Sequence, residues 1–248
     1  MKILNPTLSI IIPAYNEENR ILPTLESYYN YFTKINPKDN LEIIVVLNGC
    51  TDATLEVVKK FAYTNKGVRW LEYHEILGKG GAIIEGLKNS FGEHIAIVDA
   101  DNMIVAEETS KLIDQLSNNN DICIGWRKFH SKKQPVVRKI ASFLVRKWTK
   151  WIIRVPFHDT QCGAKAITKE SNSHILPHLT ETGWTLDIQM LVIGINLNKK
   201  ITEVELKWEH KIENSKLSLF RGAFELLATT IRLGLKRSKY KKLIHKDP

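Results

Sequence analysis

Two carboxylates, Asp99 and Asp101, stand where the apolar run Ile95-Ala96-Ile97-Val98 stops. Hard oxygen ligands at such a place suit Mg²⁺ or Mn²⁺ against a diphosphate, because these ions keep several waters and take one or two protein carboxylates together with phosphate oxygens. A strand-end turn, where Asp and Asn are common in any case, accounts for the same residues. Lys79, in Gly78-Lys79-Gly80-Gly81, offers an ammonium and backbone N–H groups at a helix start, a position that favours an anion. Its spacing is neither a dinucleotide fingerprint nor a P-loop, and a turn with a solvated lysine explains it equally well.

The elements around these residues have to bring them to one place. Leu8 to Ile12 is a β-branched run stopped by Pro13, followed by a polar loop and a helix to about Phe32. Leu41 to Leu47, then Asn48-Gly49-Cys50-Thr51-Asp52, then a helical Ala53 to Tyr63 repeat the pattern. Val68 to Tyr73 is a third strand, Gly78 to about Ser90 a third helix, and the strand ending at Asp99 a fourth. Such alternation predicts an α/β fold, a doubly wound and mostly parallel sheet with helices on both faces and ligands beyond the carboxyl ends of the strands. Asp121 to Gly125 and Ile201 to Trp208 read as further strands.

The chain of 248 residues fits one domain with ample core, and 43% hydrophobic content is ordinary. No repeat, signal peptide or apolar run long enough to span a bilayer is present, which predicts a soluble or peripheral protein. A net charge of +9 calls for an acidic partner. Cys50, Cys123 and Cys162 lie far apart, suggesting neither zinc nor a disulfide framework, and a reducing cytoplasm fits. Ser131 to Val155 and Leu217 to Lys242 interleave Lys and Arg with Trp, Phe, Leu and Ile at helical spacing. Basic amphipathic helices of that kind lie on an anionic membrane surface or pack on the domain with a solvated face. No recognised base-reading motif accompanies the charge, so nucleic acid is not the expected partner.

Four stretches in order, Ile12-Pro13-Ala14-Tyr15-Asn16-Glu17-Glu18, Asn48-Gly49-Cys50-Thr51-Asp52, Gly78-Lys79-Gly80-Gly81-Ala82 and Asp99-Ala100-Asp101, resemble the signatures of inverting family 2 glycosyltransferases with the GT-A fold. Asp159-Thr160-Gln161-Cys162-Gly163-Ala164-Lys165 and Ser215-Lys216-Leu217 resemble the branch that uses polyprenyl phosphate, especially dolichyl-phosphate β-glucosyltransferases. The resemblance covers about residues 7 to 220. It implies one glycosyltransferase domain over 1–248, with about 1–125 binding the nucleotide sugar and about 126–248 facing the acceptor and the membrane.

The resemblance also implies roles. Pro13, Tyr15 and Glu17 would contact the nucleoside, Lys79 the nucleotide or sugar, Asp99, Ala100 and Asp101 the ribose and the metal-diphosphate. Arg127, Arg138 and Ser142 would hold the acceptor phosphate. Guanidinium forks bind phosphate bidentately, and residues 138 and 142 lie one helical turn apart. Gln161 would line the acceptor side, Ser215 and Lys216 would close over the diphosphate, and Asp187 would act near the acceptor, in a region where Gln189 replaces the family's Glu. Asp187 has a second reading as a helix N-terminal acid stabilised by the dipole. Leu47, Asn48 and Met103 depart from the family's pattern: Asn48 still donates and accepts hydrogen bonds, whereas Leu47 and Met103 replace no ionic contact.

The expected function is metal-dependent inverting transfer of a hexose, with UDP-glucose favoured, from a nucleotide diphosphate sugar to dolichyl or polyprenyl phosphate at the cytoplasmic face of a membrane. A hydroxyl acceptor with Asp187 as base, and a catalytically weak phospholipid-binding protein on the same fold, are the rival readings.

Overall fold

The structure, a computed structural model, describes residues 6–35, 40–127, 155–208 and 231. Arg138, Ser142, Ser215 and Lys216 lie outside these residues, as do the two basic amphipathic segments apart from Val155 and Ile231.

The amino-terminal half alternates as the sequence predicts: β1 (Leu8–Ala14), α1 (Ile21–Ile35), β2 (Leu41–Asn48), α2 (Thr54–Thr64), β3 (Val68–Tyr73), α3 (Gly78–Lys88) and β4 (His94–Ile97). There follow α4 (Ala106–Ser117), β5 (Ile122–Arg127), β6 (Lys165–Thr168), α5 (Lys169–Ile175), a 3₁₀ turn (Leu176–His178), α6 (Leu186–Asn196) and β7 (Ile201–Leu206). The sheet runs β3-β2-β1-β4-β6-β5-β7. β6 alone is reversed, antiparallel to both β4 and β5.

All eight residues of β2 are buried, as expected for a parallel strand covered on both faces. Alternate side chains feed two cores. Ile10, Ile12, Ile43 and Val45 pack with the Ile21, Leu25, Tyr28 and Phe32 stripe of α1 and with Val58 of α2. Ile11, Ile44, Val46, Ile95 and Ile97 meet Ile83 and Leu87 of α3 and Met190 and Leu191 of α6. Each such side chain, fully buried, stabilises the fold by about 1.5–3 kcal/mol. Glu42 is the acid inside this layer, and it is answered by Ser9 Oγ at 2.6 Å, Arg69 Nε at 2.9 Å and the Phe91 N–H at 3.2 Å.

Two differences from the sequence reading have local causes. β1 runs through Pro13 to Ala14, in register with Val46 and Leu47. Ile11 faces β4 with its carbonyl, which accepts from Val98 N, so the missing N–H of Pro13 falls on that same side. Pairing with β4 has already ended there, at Ile11 and Ile97, and the proline costs no ladder bond. The helix α4 goes unread in the sequence because Ala106–Ser117 is mostly polar; Leu112 and Leu116 bury it against Cys123, Ala164 and Leu206.

Candidate active site

The carboxyl ends of the parallel strands carry the polar loops. Those after β1 and β2 are stitched together: Asn16 Oδ1 accepts from Thr51 N at 2.7 Å, Glu18 Oε2 from Ala53 N at 2.9 Å and Asp52 Oδ2 from Glu18 N at 3.2 Å. Asn16 at φ 53° and Gly49 at φ 66° make the reversals, a conformation that Asn tolerates and Gly adopts freely. Pro13 and half-exposed Tyr15 lead into this unit, while Glu17 is paired with Arg20 at 2.6 Å. Asn48 is buried, and its Oδ1 accepts from Leu77 N at 2.6 Å. The acceptor half of its amide therefore tethers the start of α3.

The glycines of α3 serve a close approach of backbone. A Cβ at Gly78 or Gly80 would fall 2.3 Å from the Thr182 carbonyl or 2.5 Å from that of Glu181, and Gly81 N donates to Thr182 O at 3.1 Å. The 181–183 loop thus sits on the helix start that the sequence marks as an anion cradle. Lys79 projects from this clasp, its Nζ 2.5 Å from Asp99 Oδ1 and 4.9 Å from the Trp184 ring centroid.

The segment Asp99–Ile104 is held from α1. Thr24 Oγ1 donates to Ala100 O at 2.7 Å and the Tyr28 hydroxyl to Ile104 O at 2.8 Å. Gly163 lies against Asp99, and a Cβ there would stand 1.9 Å from Asp99 Oδ2, so any other residue would displace that carboxylate. Burial by itself would raise the Asp99 pKa, but Lys79, with Lys165 and Arg127 behind it, holds it below the ordinary carboxylate value. Asp101 shifts the opposite way. Burial and the Asp99 charge raise it, and the Met103 N–H, 3.1 Å from Oδ1, offsets this only in part. Neighbouring acids pushed in opposite directions are a pattern that clusters at functional sites.

Arg127 ends β5 and, with Asp99, Asp101, Met103, Gly163 and Trp208, lines a small pocket. Its Nε and Nη2 form a fork on Asp159 at 2.7 and 3.1 Å, and Nη2 also donates to Gln161 O at 3.2 Å. Burial opposes the guanidinium charge, and Asp159 more than offsets it, raising the pKa further. Asp187 stands in the first turn of α6, 2.9 Å from Lys165 Nζ. Lys165 is 1% exposed and also donates to the Cys162 carbonyl. Gln189, fully buried, accepts from Thr180 N and Glu181 N at 2.9 Å each, fastening the same loop that α3 clasps.

The fold therefore gathers Lys79, Asp99, Ala100, Asp101, Arg127, Gln161 and Asp187 around the β4 and β6 ends, with Pro13, Tyr15, Glu17 and Asn48 at the ends of β1 and β2. Sequence reasoning misses Lys165, Asp159, Gly163 and Trp184 as individual residues. A lysine opening the apolar Lys165–Thr168 strand is the signal that marks Lys165.

Asp101 and Asp99 fit a divalent cation. Among the described residues no cluster of three or more His, Cys, Asp or Glu forms a metal site; Mg²⁺ and Mn²⁺ commonly take one or two protein carboxylates and complete their shells with substrate phosphate and water. Asn102 Oδ1, beside Asp101, is buried with no hydrogen-bond partner among the described residues, an acceptor suited to a metal-bound water.

A mostly parallel sheet with two acids at the β4 end and a two-loop unit beyond β1 and β2 is the arrangement of a GT-A-type glycosyltransferase. The Glycosyl transferase family 2 profile matches residues 9–170, and the chain belongs to that family. It is 32% identical over 223 residues to a dolichyl-phosphate β-glucosyltransferase of Trichomonas vaginalis, covering 85% of this chain and 66% of the relative. It is likewise 32% identical over 229 residues to the Mus musculus dolichyl-phosphate β-glucosyltransferase, covering 86% and 70%. The chain thus spans about two thirds of the length of these relatives. A solved glucosyl-3-phosphoglycerate synthase from Mycobacterium tuberculosis, in complex with Mn²⁺ and UDP-glucose, shares the fold at a TM-score of 0.70 and 17% identity, over 92% of this chain and 79% of that one.

Proposed function

We propose that this glycosyltransferase moves a hexose, with UDP-glucose the favoured donor, onto a polyprenyl or dolichyl phosphate with inversion at the anomeric carbon. The Lys165–Asp187 ion pair carries this reading. A hydroxyl acceptor needs a carboxylate to take its proton; Asp187 is paired with Lys165 and Asp159 with Arg127, while Asp99 and Asp101 are assigned to the metal. A phosphate monoester, with a second pKa of about 6, arrives largely ionised and needs no such base. The names of the relatives and the nucleotide-sugar complexes of the structural neighbour support the same choice.

In the reaction, an acceptor phosphate oxygen bonds to the anomeric carbon as the bond from that carbon to the nucleotide diphosphate breaks, and the diphosphate leaves with the electron pair. Asp101 and Asp99 would hold Mg²⁺ or Mn²⁺, which supplies positive charge for the departing diphosphate. Lys79 keeps Asp99 ionised and aimed. Arg127 stands on the pocket wall with Asp99 and Asp101, a guanidinium placed to meet an anion held there. We assign Tyr15 and Glu17 to the nucleoside side, and Arg138, Ser142, Ser215 and Lys216 to the acceptor and diphosphate as their resemblance implies.

Asp187→Asn separates the two acceptor readings. Transfer to polyprenyl phosphate is expected to stay within about tenfold of wild type, whereas loss of a general base costs roughly 10²- to 10⁴-fold. A loss in that range, with the thermal transition measured to show that the variant is folded, would mean that Asp187 acts as a base and would count against the reading in which the acceptor arrives ionised.

Charge distribution supports a membrane-facing acceptor. The described residues hold 15 of the 36 Lys and Arg but 22 of the 27 Asp and Glu, so they are net negative while the chain is +9. The positive excess falls in 128–154 and 209–248. No described helix is long and apolar enough to cross a membrane. Flotation with anionic vesicles is expected to exceed that with neutral ones and to weaken as salt rises from about 0.1 to 1 M, where the Debye length shrinks from about 10 to 3 Å. Equal recovery with both vesicle types would remove the surface role.

A further inference from the structure

We propose that Trp184 is the platform on which the donor's hexose ring stacks, an assignment that rests on the nucleotide-sugar reading of the site. Trp184 is 44% exposed, an unusual state for a large aromatic on a loop that is otherwise fastened at every turn. Gln189 binds the backbone of Thr180 and Glu181, Gly81 N binds Thr182 O, and Gly78 and Gly80 admit the 181–183 backbone where a Cβ would collide. The loop is thus built to hold its aromatic in a set place while leaving it open to solvent. A rigid apolar face presented in this way is the kind of surface that ligand sites use.

Position selects the ligand. One ammonium, Lys79 Nζ, lies 2.5 Å from Asp99 and 4.9 Å from the centre of the indole, so the ring stands one lysine head away from the acid pair assigned to the diphosphate. The nucleoside is assigned to the stitched loops at the ends of β1 and β2. What lies next to the diphosphate, away from the nucleoside, is the sugar. The C–H face of a pyranose is apolar and flat enough to cover an indole; Lys79 Nζ lies over one face of the ring, and the residue keeps 44% of its surface exposed.

The test compares binding of UDP-glucose and of UDP, each by equilibrium titration with Mg²⁺ or Mn²⁺ present, to wild type, Trp184→Ala and Trp184→Phe. Trp184→Ala is expected to weaken UDP-glucose about tenfold, corresponding to about 1.4 kcal/mol, to leave UDP within about twofold of wild type, and to be largely rescued by Phe, which keeps an apolar face. Equal weakening of UDP and UDP-glucose would overturn the assignment, placing Trp184 on the nucleotide. An unchanged donor affinity with a raised requirement for polyprenyl phosphate would also overturn it, giving the ring to the acceptor. A wild-type protein that binds UDP but gains nothing from the glucose overturns the platform alone. One that binds neither compound removes the donor reading itself and the platform with it.

Discussion

Asp101→Asn is expected to lower turnover about a thousandfold, a barrier increase of roughly 4 kcal/mol, in line with the several kcal/mol of charge stabilisation that a catalytic metal supplies. Asp101 is the acid of the pair without a lysine or arginine ion partner among the described residues, whereas Asp99 already has Lys79. The amide keeps the shape and the ability to accept from Met103 N, and removes the charge that a divalent cation needs. The fold should not suffer. Burial and Asp99 raise the Asp101 pKa, so at neutral pH its ionised form works against the folded state. That penalty is present above the folded-state pKa and vanishes as pH falls below the unfolded carboxylate value. The Asn variant should therefore melt no lower than wild type at neutral pH, and any gain should fade on acidification. Mn²⁺ should raise the melting temperature of wild type, because a ligand of the native state stabilises it by mass action, and should not raise that of the variant. Wild-type turnover or an undiminished Mn²⁺ shift in Asp101→Asn would take the metal role away from this residue.

Lys165→Met is expected to destabilise the protein by about 3–5 kcal/mol, the cost of leaving a buried charge without its partner. The chain offers Asp187 no comparable replacement at 2.9 Å among the described residues, and the Cys162 carbonyl loses its donor as well. For a chain of this size, with melting points moving about 2–4 °C per kcal/mol, the transition should fall by roughly 6–20 °C. Adding Asp187→Leu should recover most of the loss, since an apolar pair of similar volume often replaces a buried ion pair at no cost. The double variant also reports on function: were the pair only structural, its activity would return with its stability. With Asp99 and Lys79 both within the field of this pair, we expect stability to return without full turnover. A Lys165→Met melting point within about 1 °C of wild type would contradict the buried-pair account.

The division between what could be read from residues and what needed the fold follows the range of the interactions. Runs such as Ile43–Leu47 and Ile95–Val98 announce buried parallel strands because a strand covered on both faces is apolar at nearly every position, a condition each short segment meets by itself. The acids after β4 are legible for the same reason, since carboxylates at the end of such a run have nowhere to go but the open edge of the sheet. The helix α4 is less legible. Most of its residues are polar, and it buries few apolar side chains, Leu112 and Leu116 chief among them.

Side-chain partners are a different matter, because they are chosen by residues far away in the chain. Arg127 reads as a free phosphate fork until Asp159, 32 positions on, takes two of its donors. Gly78 to Gly81 read as an anion cradle until the 181–183 backbone fills the space their missing Cβ atoms leave. Asn48 reads as an amide that can both donate and accept until Leu77 N claims its oxygen, and Gln189, which stands where the family resemblance expects an acid, proves to be the fastening of a loop. By itself the sequence determined the layered fold, the order of its loops and the acids at the β4 end, because burial and periodicity act over a few residues. Only the tertiary structure decided that Lys165 neutralises Asp187, that Gly163 makes room for Asp99 and that Trp184 stands beside Lys79, because those pairings depend on the reversed strand β6 and the start of α6 being brought to the same edge of the sheet.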